Sequence, residues 1–154
     1  MRHTHPAPVG PRRSIELDRR EALRLLGSVS LGRVVFTRHA LPTVRPVNHV
    51  LDDGDIIIRT HDGAALTSRT RESRSSGVVV AYEADTIDPA THLGWSVVAT
   101  GYAHLVTDPQ ELARIHLLLH PWVQQTMDYA VRIRPDLVSG IRLTYADANR
   151  NDTG

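Results

Sequence analysis

The alternation of apolar and polar positions divides the chain into short β-branched runs separated by turn residues, with two stretches of helical period between them. Val44, Val47, Val50 and Leu51 precede the turn DDG, and Ile56, Ile57 and Ile58 follow it. Asp-Gly accepts the positive φ of a tight turn, so this segment predicts a β-hairpin. The runs at 32–38, 43–51, 55–61, 77–83 and 96–106, with a last one over 129–143, predict six strands in a mainly antiparallel sheet.

Helical signals flank the strands. Asp18 followed by Glu21 reads as a capping box, Ala22, Leu23, Leu25 and Leu26 recur at helical spacing, and Gly27 stops a helix over 19–27. Asp108 and Pro109 form a cap and first turn, and Leu112, Ile115, Leu117, Leu118 and Leu119 extend a second helix to His120, before Pro121. The polar stretch ALTSRTRESR at 65–74, with Arg69, Arg71 and Arg74, suits a short surface helix across one mouth of a barrel.

Composition narrows the class. The 154 residues, 41% hydrophobic and 23% charged, fit one soluble globular domain. Residues 1–13, with three Pro, three Arg and two His, are expected to be a disordered arm; 14–146 form the domain and 147–154 a flexible tail. The net charge of +1, from 18 basic and 17 acidic residues scattered along the chain, gives no field of the kind nucleic-acid binders use. The absence of Lys excludes a Schiff-base or phosphate-loop lysine, and the absence of Cys excludes disulfides, thiolate metal sites and a thiol nucleophile. No run is long and apolar enough for a membrane span or a signal peptide, so a cytoplasmic location is expected.

Few residues suggest chemistry on their own. Arg59 and Thr60 lead into HDGAALTSR, placing a guanidinium and a hydroxyl beside a Gly-containing loop that can cradle a phosphate; read alone, the same residues make a solvated turn. His116 and His120 stand four apart on a helix, but no Glu completes a zinc pattern, so no metal is expected. The acidic strand exit of Tyr82, Glu83, Asp85 and Asp88 is read as structural, paired with the Arg-rich 69–74 piece. No Ser stands in a nucleophile elbow.

The order of these elements, with LGRVVF at 31–36, RPVNHV at 45–50, IIIRT at 56–60 and GWSVVATGYAHLV at 94–106, resembles the pyridoxamine 5'-phosphate oxidase-like family over residues 15–145. The resemblance implies a mainly β fold: a six-stranded antiparallel split barrel of the FMN-binding type with peripheral helices. It implies a homodimer holding FMN, or in some branches a deazaflavin coenzyme or haem, in clefts between two barrels. An open barrel with an apolar strand face is consistent with such pairing. Carried over by position, Arg45, Pro46, Val47 and Asn48 would lie along the isoalloxazine ring, and Arg59 and Thr60 would meet the ribityl phosphate. Trp95 and Ser96 match the segment lent by the partner subunit; the other reading of Trp95 is a core or interface residue.

The chain departs from the family at the phosphate loop. Relatives place a Ser and a basic residue after the Gly, whereas here Gly63 is followed by Ala64 and Ala65. That leaves the grip to backbone amides at 63–66 or to Arg69 or Arg71, or points to a weakened or changed ligand. The implied function is an FMN-dependent oxidoreductase acting on a small planar or electrophilic molecule, with no catalytic side chain assigned. Oxidation of pyridoxamine phosphate itself would require basic groups in the last strand, where only Arg132, Arg134 and Arg142 are available. The alternatives are a deazaflavin-dependent reductase, a non-catalytic flavin- or haem-binding dimer with His39, His49 or His61 as axial ligand, and a dimer whose cleft has lost its ligand.

Overall fold

The structure, a computed structural model, describes residues 11–60, 66–67, 77–119 and 129–146. In chain order its elements are β1 (Arg12–Glu16), α1 (Arg19–Gly27), β2 (Leu31–Arg38), β3 (Leu41–Asp52), β4 (Asp55–Thr60), β5 (Val78–Ile87), β6 (Gly94–Leu105), α2 (Pro109–Leu118) and β7 (Tyr129–Tyr145). The helix expected over 65–74 lies outside the described residues except for Leu66 and Thr67, which are helical and buried.

Local chemistry sets the boundaries. The Asp18 carboxylate accepts from the Glu21 backbone N–H at 2.8 Å, and α1 ends at Gly27, as the capping signals predict. Asp53 and Gly54 have φ of 51° and 83°, the consecutive positive values of the two-residue turn that matches strand twist. In α2 the Asp108 carboxylate caps Gln110 and Pro109 opens the first turn; the helix stops at Leu118, two residues short of the expected His120, which lies outside the described residues.

All six expected strands form, and a seventh joins them. The strands run antiparallel in the order β7-β4-β3-β2-β5-β6, and β6 returns to β7, closing a ring. The closing strand, β7, is 17 residues long. It pairs with β4 over Tyr129–Ile133, with β6 over Val131–Leu143 and with β1 over Ile141–Tyr145. A register shift at Thr100 and Gly101 lets the long β6–β7 ladder bend. The extra strand, RRSIE, is exposed at all five positions, so no period-two burial announced it. It also draws Arg12 and Arg13, expected in the disordered arm, into the sheet.

Alternation along each strand separates two cores. Val34, Phe36, Ile56, Ile58, Val80, Tyr82, Ala84, Trp95, Val97, Ala99, Val131 and Ile133 point into the ring, and Ala22, Leu25 and Leu26 of α1 plug one end. Ile57, Val106, Ile115, Leu119 and Ala130 form a smaller core beneath α2. Each fully buried Ile contributes about 1.5–3 kcal/mol, so the IIIRT run, serving both cores, is a principal source of stability. Arg132 clamps α2 and the β3–β4 hairpin to β7: its guanidinium lies 2.8 Å from Asp52, 3.1 Å from Asp55 and 2.5 Å from Glu111.

Candidate functional site

The strand alternation that fills the ring also pushes alternate side chains of β2, β3, β4 and β5 outward. Where the end of α1, the end of α2 and the middle of β3 approach one another, they enclose an open cleft of about 760 Å³. This volume lies within the usual range for small-molecule and cofactor sites. One wall is the turn Gly27–Leu31, fixed because the His49 N–H donates to the Ser30 carbonyl at 2.8 Å and the Ser28 hydroxyl to the Leu25 carbonyl at 2.6 Å. The opposite wall is apolar, from Val50, Leu118 and Leu119, and Asn48, Arg33 and Asp85 supply the polar groups.

Of the sequence-predicted site residues, Asn48 lines the cleft. Arg59 follows Ile57 onto the same face of β4 and donates to the carbonyl of Leu119, a cleft residue, at 3.1 Å, but Arg59 itself is not among the residues that line the cleft. Thr60 follows Ile58 inward, where its hydroxyl meets that of Thr67 at 2.5 Å. The two residues read together as a phosphate pair therefore face opposite sides of β4. Arg45 and Pro46 are exposed on β3, and Val47 packs against the ring core. Trp95 packs in that core with 7% of its surface exposed, the core placement rather than a free stacking platform. Ser96, its neighbour, faces outward in a groove of about 350 Å³ with Ser14, Glu16, Val98 and Ser139. Gly63, Ala64, Ala65, Arg69, Arg71 and Arg74 lie outside the described residues.

Two constellations were not evident from sequence spacing. Beneath the cleft, the His49 ring is held at both nitrogens: the Leu26 carbonyl lies 2.8 Å from Nε2 and the Tyr82 hydroxyl 2.5 Å from Nδ1. A carbonyl only accepts, so Nε2 carries the proton and Nδ1 accepts from Tyr82. Burial pushes His49 below its ordinary pKa, against the pull of the Leu26 carbonyl, and keeps it neutral. Burial likewise pushes the Tyr82 phenol up. With both ring nitrogens engaged and 3% exposure, His49 is not available as the axial haem ligand considered above.

The second constellation lies at the rim and beyond it. The Arg33 guanidinium is 3.2 Å from Glu83 and 3.7 Å from Asp85. Burial, together with the neighbouring Asp85 and against the pull of Arg33, raises Glu83 to about 7. Among the described residues, Arg33 is therefore the partner of the acidic strand exit that had been assigned to 69–74, while Asp88 accepts from the backbone of Ala90 and Thr91. Alternation in β2, with Val34 and Phe36 inward and Arg33 outward, was the signal that could have located this group. Of the arginines in β7, Arg132 is engaged by three carboxylates, and Arg142 reaches Glu21 at 3.3 Å. Among the described residues no group of three potential metal ligands is found, and no helix is long and apolar enough to cross a membrane.

Comparison with known proteins agrees with this architecture. The family model described as pyridoxamine 5'-phosphate oxidase matches residues 18–142. The uncharacterized protein Rv0080 of Mycobacterium tuberculosis is 55% identical over 137 residues, 89% of this chain and 90% of that one. A protein from Corynebacterium glutamicum, provisionally named a pyridoxamine 5'-phosphate oxidase, superposes with a TM-score of 0.70 at 33% identity, covering 87% of this chain and 96% of that one. The FAD binding protein of Mycobacterium smegmatis superposes at 0.62 with 28% identity, covering 84% and 98%. The family match, the ring of antiparallel strands and these relatives place the chain in the pyridoxamine 5'-phosphate oxidase family, as a split barrel.

Proposed function

We propose that this protein is a flavin-dependent oxidoreductase that binds FMN in the cleft between α1, α2 and β3 and works as a homodimer on a small-molecule substrate. The observation that carries the reading is the Asn48 amide set beside an apolar wall of Val50, Leu118 and Leu119, with Arg59 bonded to the carbonyl of Leu119 at 3.1 Å next to that wall. This donor set fits a flavin nucleotide. Val50, Leu118 and Leu119 offer surface to a flat ring, the Asn48 amide matches a ring edge carrying both donors and acceptors, and a guanidinium suits a phosphate. The M. smegmatis relative, an FAD binding protein, supports a flavin in this family branch.

When bound, the flavin supplies hydride or electron transfer. The chain's own part is to orient it: the turn Gly27–Leu31 is fixed by His49, and Leu118 and Leu119 exclude water from one side. Pyridoxamine phosphate is a poor candidate substrate, because Arg132 and Arg142 are already paired with carboxylates of the fold.

The outer face of the sheet supports the dimer reading. Val44, Val35, Ala81, Thr100 and Leu137 lie in register across five strands, and Val44, Val79, Tyr102 and Leu137 are 50, 56, 44 and 72% exposed. Five strands about 4.8 Å apart and some ten residues long present roughly 800 Å², the area one partner contributes to a standard interface. An apolar sheet face of this size is what a second copy would cover.

The test is titration of the purified protein with FMN, FAD and a deazaflavin, followed by fluorescence, with the mass measured by light scattering. Micromolar or tighter FMN binding to a dimer supports the reading. Preference for FAD or the deazaflavin changes the cofactor, and failure of every flavin to bind refutes the function.

A further inference from the structure

The apolar face just described is interrupted at one place. The row beside Val44–Leu137 reads Pro46, Arg33, Glu83, Val98 and Ser139 across the same five strands. Within it, two carboxylates share one guanidinium: Arg33 Nη1 lies 3.2 Å from Glu83 and 3.7 Å from Asp85. The surrounding register positions contribute no second cation. β3 places Pro46 beside Arg33, β6 places Val98 opposite Glu83 and Ser96 opposite Asp85, β7 adds Ser139 and Ile141, and β1 ends the row with a further carboxylate, Glu16, opposite Ile141. The Arg33–Glu83–Asp85 cluster of each copy thus carries one negative charge in excess, and Glu16 adds another at the β1 end of the row on the surface that pairing would cover.

Two-fold pairing doubles that excess and removes the water that screens it. An unpaired carboxylate resists dehydration strongly, and binding a proton is the cheapest relief open to it. Here a proton placed between Glu83 and Asp85 leaves one guanidinium facing one carboxylate and one carboxylic acid, a neutral set. From this arrangement, and resting on the dimer reading above, we propose that the pairing face takes up a proton at the Glu83–Asp85 couple as two copies close. The dimer therefore tightens as pH falls toward neutrality.

The sign follows from linkage. Glu83 already titrates near neutrality in the single chain, raised by burial to about 7, and deeper burial against a second copy raises it further. The dimer then holds more protons than two separate chains above that pH, and its dissociation constant rises with pH there. With one proton per copy the change reaches about 100-fold per pH unit at most. Below the single-chain value both forms are protonated and the dependence disappears.

Sedimentation equilibrium of the full chain between about pH 6.5 and 8.5 tests this. The dimer is expected to weaken at least about 10-fold across that range. Glu83→Gln, which carries the neutral shape permanently, should bind its own copies as tightly at the upper pH as the wild type does at the lower, with no slope. Asp53→Asn, which changes net charge equally at the hairpin turn away from this face, should keep the wild-type slope. A dimer whose constant is flat in pH overturns the proposal, as does one that weakens on acidification, the behaviour expected if an arginine of the second copy neutralised the couple. A chain that stays monomeric at every pH and concentration removes the dimer reading itself, and the proton uptake with it. The wild-type slope decides the question even if Glu83→Gln folds poorly, which circular dichroism would reveal.

Discussion

Replacing Tyr82 by Phe removes one oxygen and leaves the ring in place, so it isolates the bond that locks the cleft floor. Tyr82 is fully buried, and its hydroxyl is the donor to His49 Nδ1 at 2.5 Å. Phe keeps the packing but leaves a buried ring nitrogen without a donor, at a cost of about 1–3 kcal/mol. For a chain of 154 residues this lowers the melting temperature by roughly 3–10 °C. Urea unfolding at pH 8 should show a lower midpoint with an unchanged slope, because the exposed surface is the same. The pH dependence provides a second check. Since His49 is held neutral in the fold, its contribution is complete above its ordinary value of 6.5 and is lost as pH falls, by up to about 1.36 kcal/mol per unit. His49→Gln should flatten the stability curve between about pH 6.5 and 5, because the amide does not titrate. A Tyr82→Phe cost under about 0.5 kcal/mol, or identical acid slopes in wild type and His49→Gln, would refute the assigned tautomer and its role.

Three further outcomes follow from particular side chains. Gly32→Ala would place a Cβ 2.5 Å from the Tyr82 ring and hydroxyl, so it should displace the ring and cost about 2–4 kcal/mol in urea unfolding. Arg132→Leu leaves Asp52, Asp55 and Glu111 facing one another around the hairpin. Arg114 and Arg132 hold Asp52 below the usual carboxylate range, so their stabilisation is present above about pH 4 and lost below it. The variant should melt lower at neutral pH and lose less on acidification, as calorimetry across pH would show. Arg59→Ala should weaken FMN binding by about 1.5–3 kcal/mol in a fluorescence titration, and an unchanged affinity would remove Arg59 from the site.

Elements whose signals were local were legible in the chain. Asp18, Glu21 and Gly27 marked both ends of α1, and DDG marked the hairpin, because caps and tight turns are fixed by residues next to each other. Strand β5 was read as ending at Glu83, but it runs on to Ile87: outward carboxylates obscured an alternation that Tyr82 and Ala84 continue inside. The site was harder to read. Asn48 lines the cleft and Arg59 bonds the carbonyl of its neighbour Leu119, whereas Thr60 and Trp95, assigned by position in a motif, are turned inward by strand parity. The His49–Tyr82 lock joins residues 33 apart, and the Arg33–Glu83 pair residues 50 apart. Neither spacing carries a local signature, so only the sheet register brings them together.

The way β7 closes the ring also bears on how the protein is made. Its 17 residues are the common border of β4, β6 and β1, and they follow every other strand of the sheet in chain order. Until they leave the ribosome, β4 and β6 present two unpaired edges of the kind that recruit other chains. Most of the sheet must therefore wait as an open, sticky ribbon for its last strand. Ring closure is then a late, long-range event, and expression yield should depend more on the integrity of β7 than on any residue of the cleft.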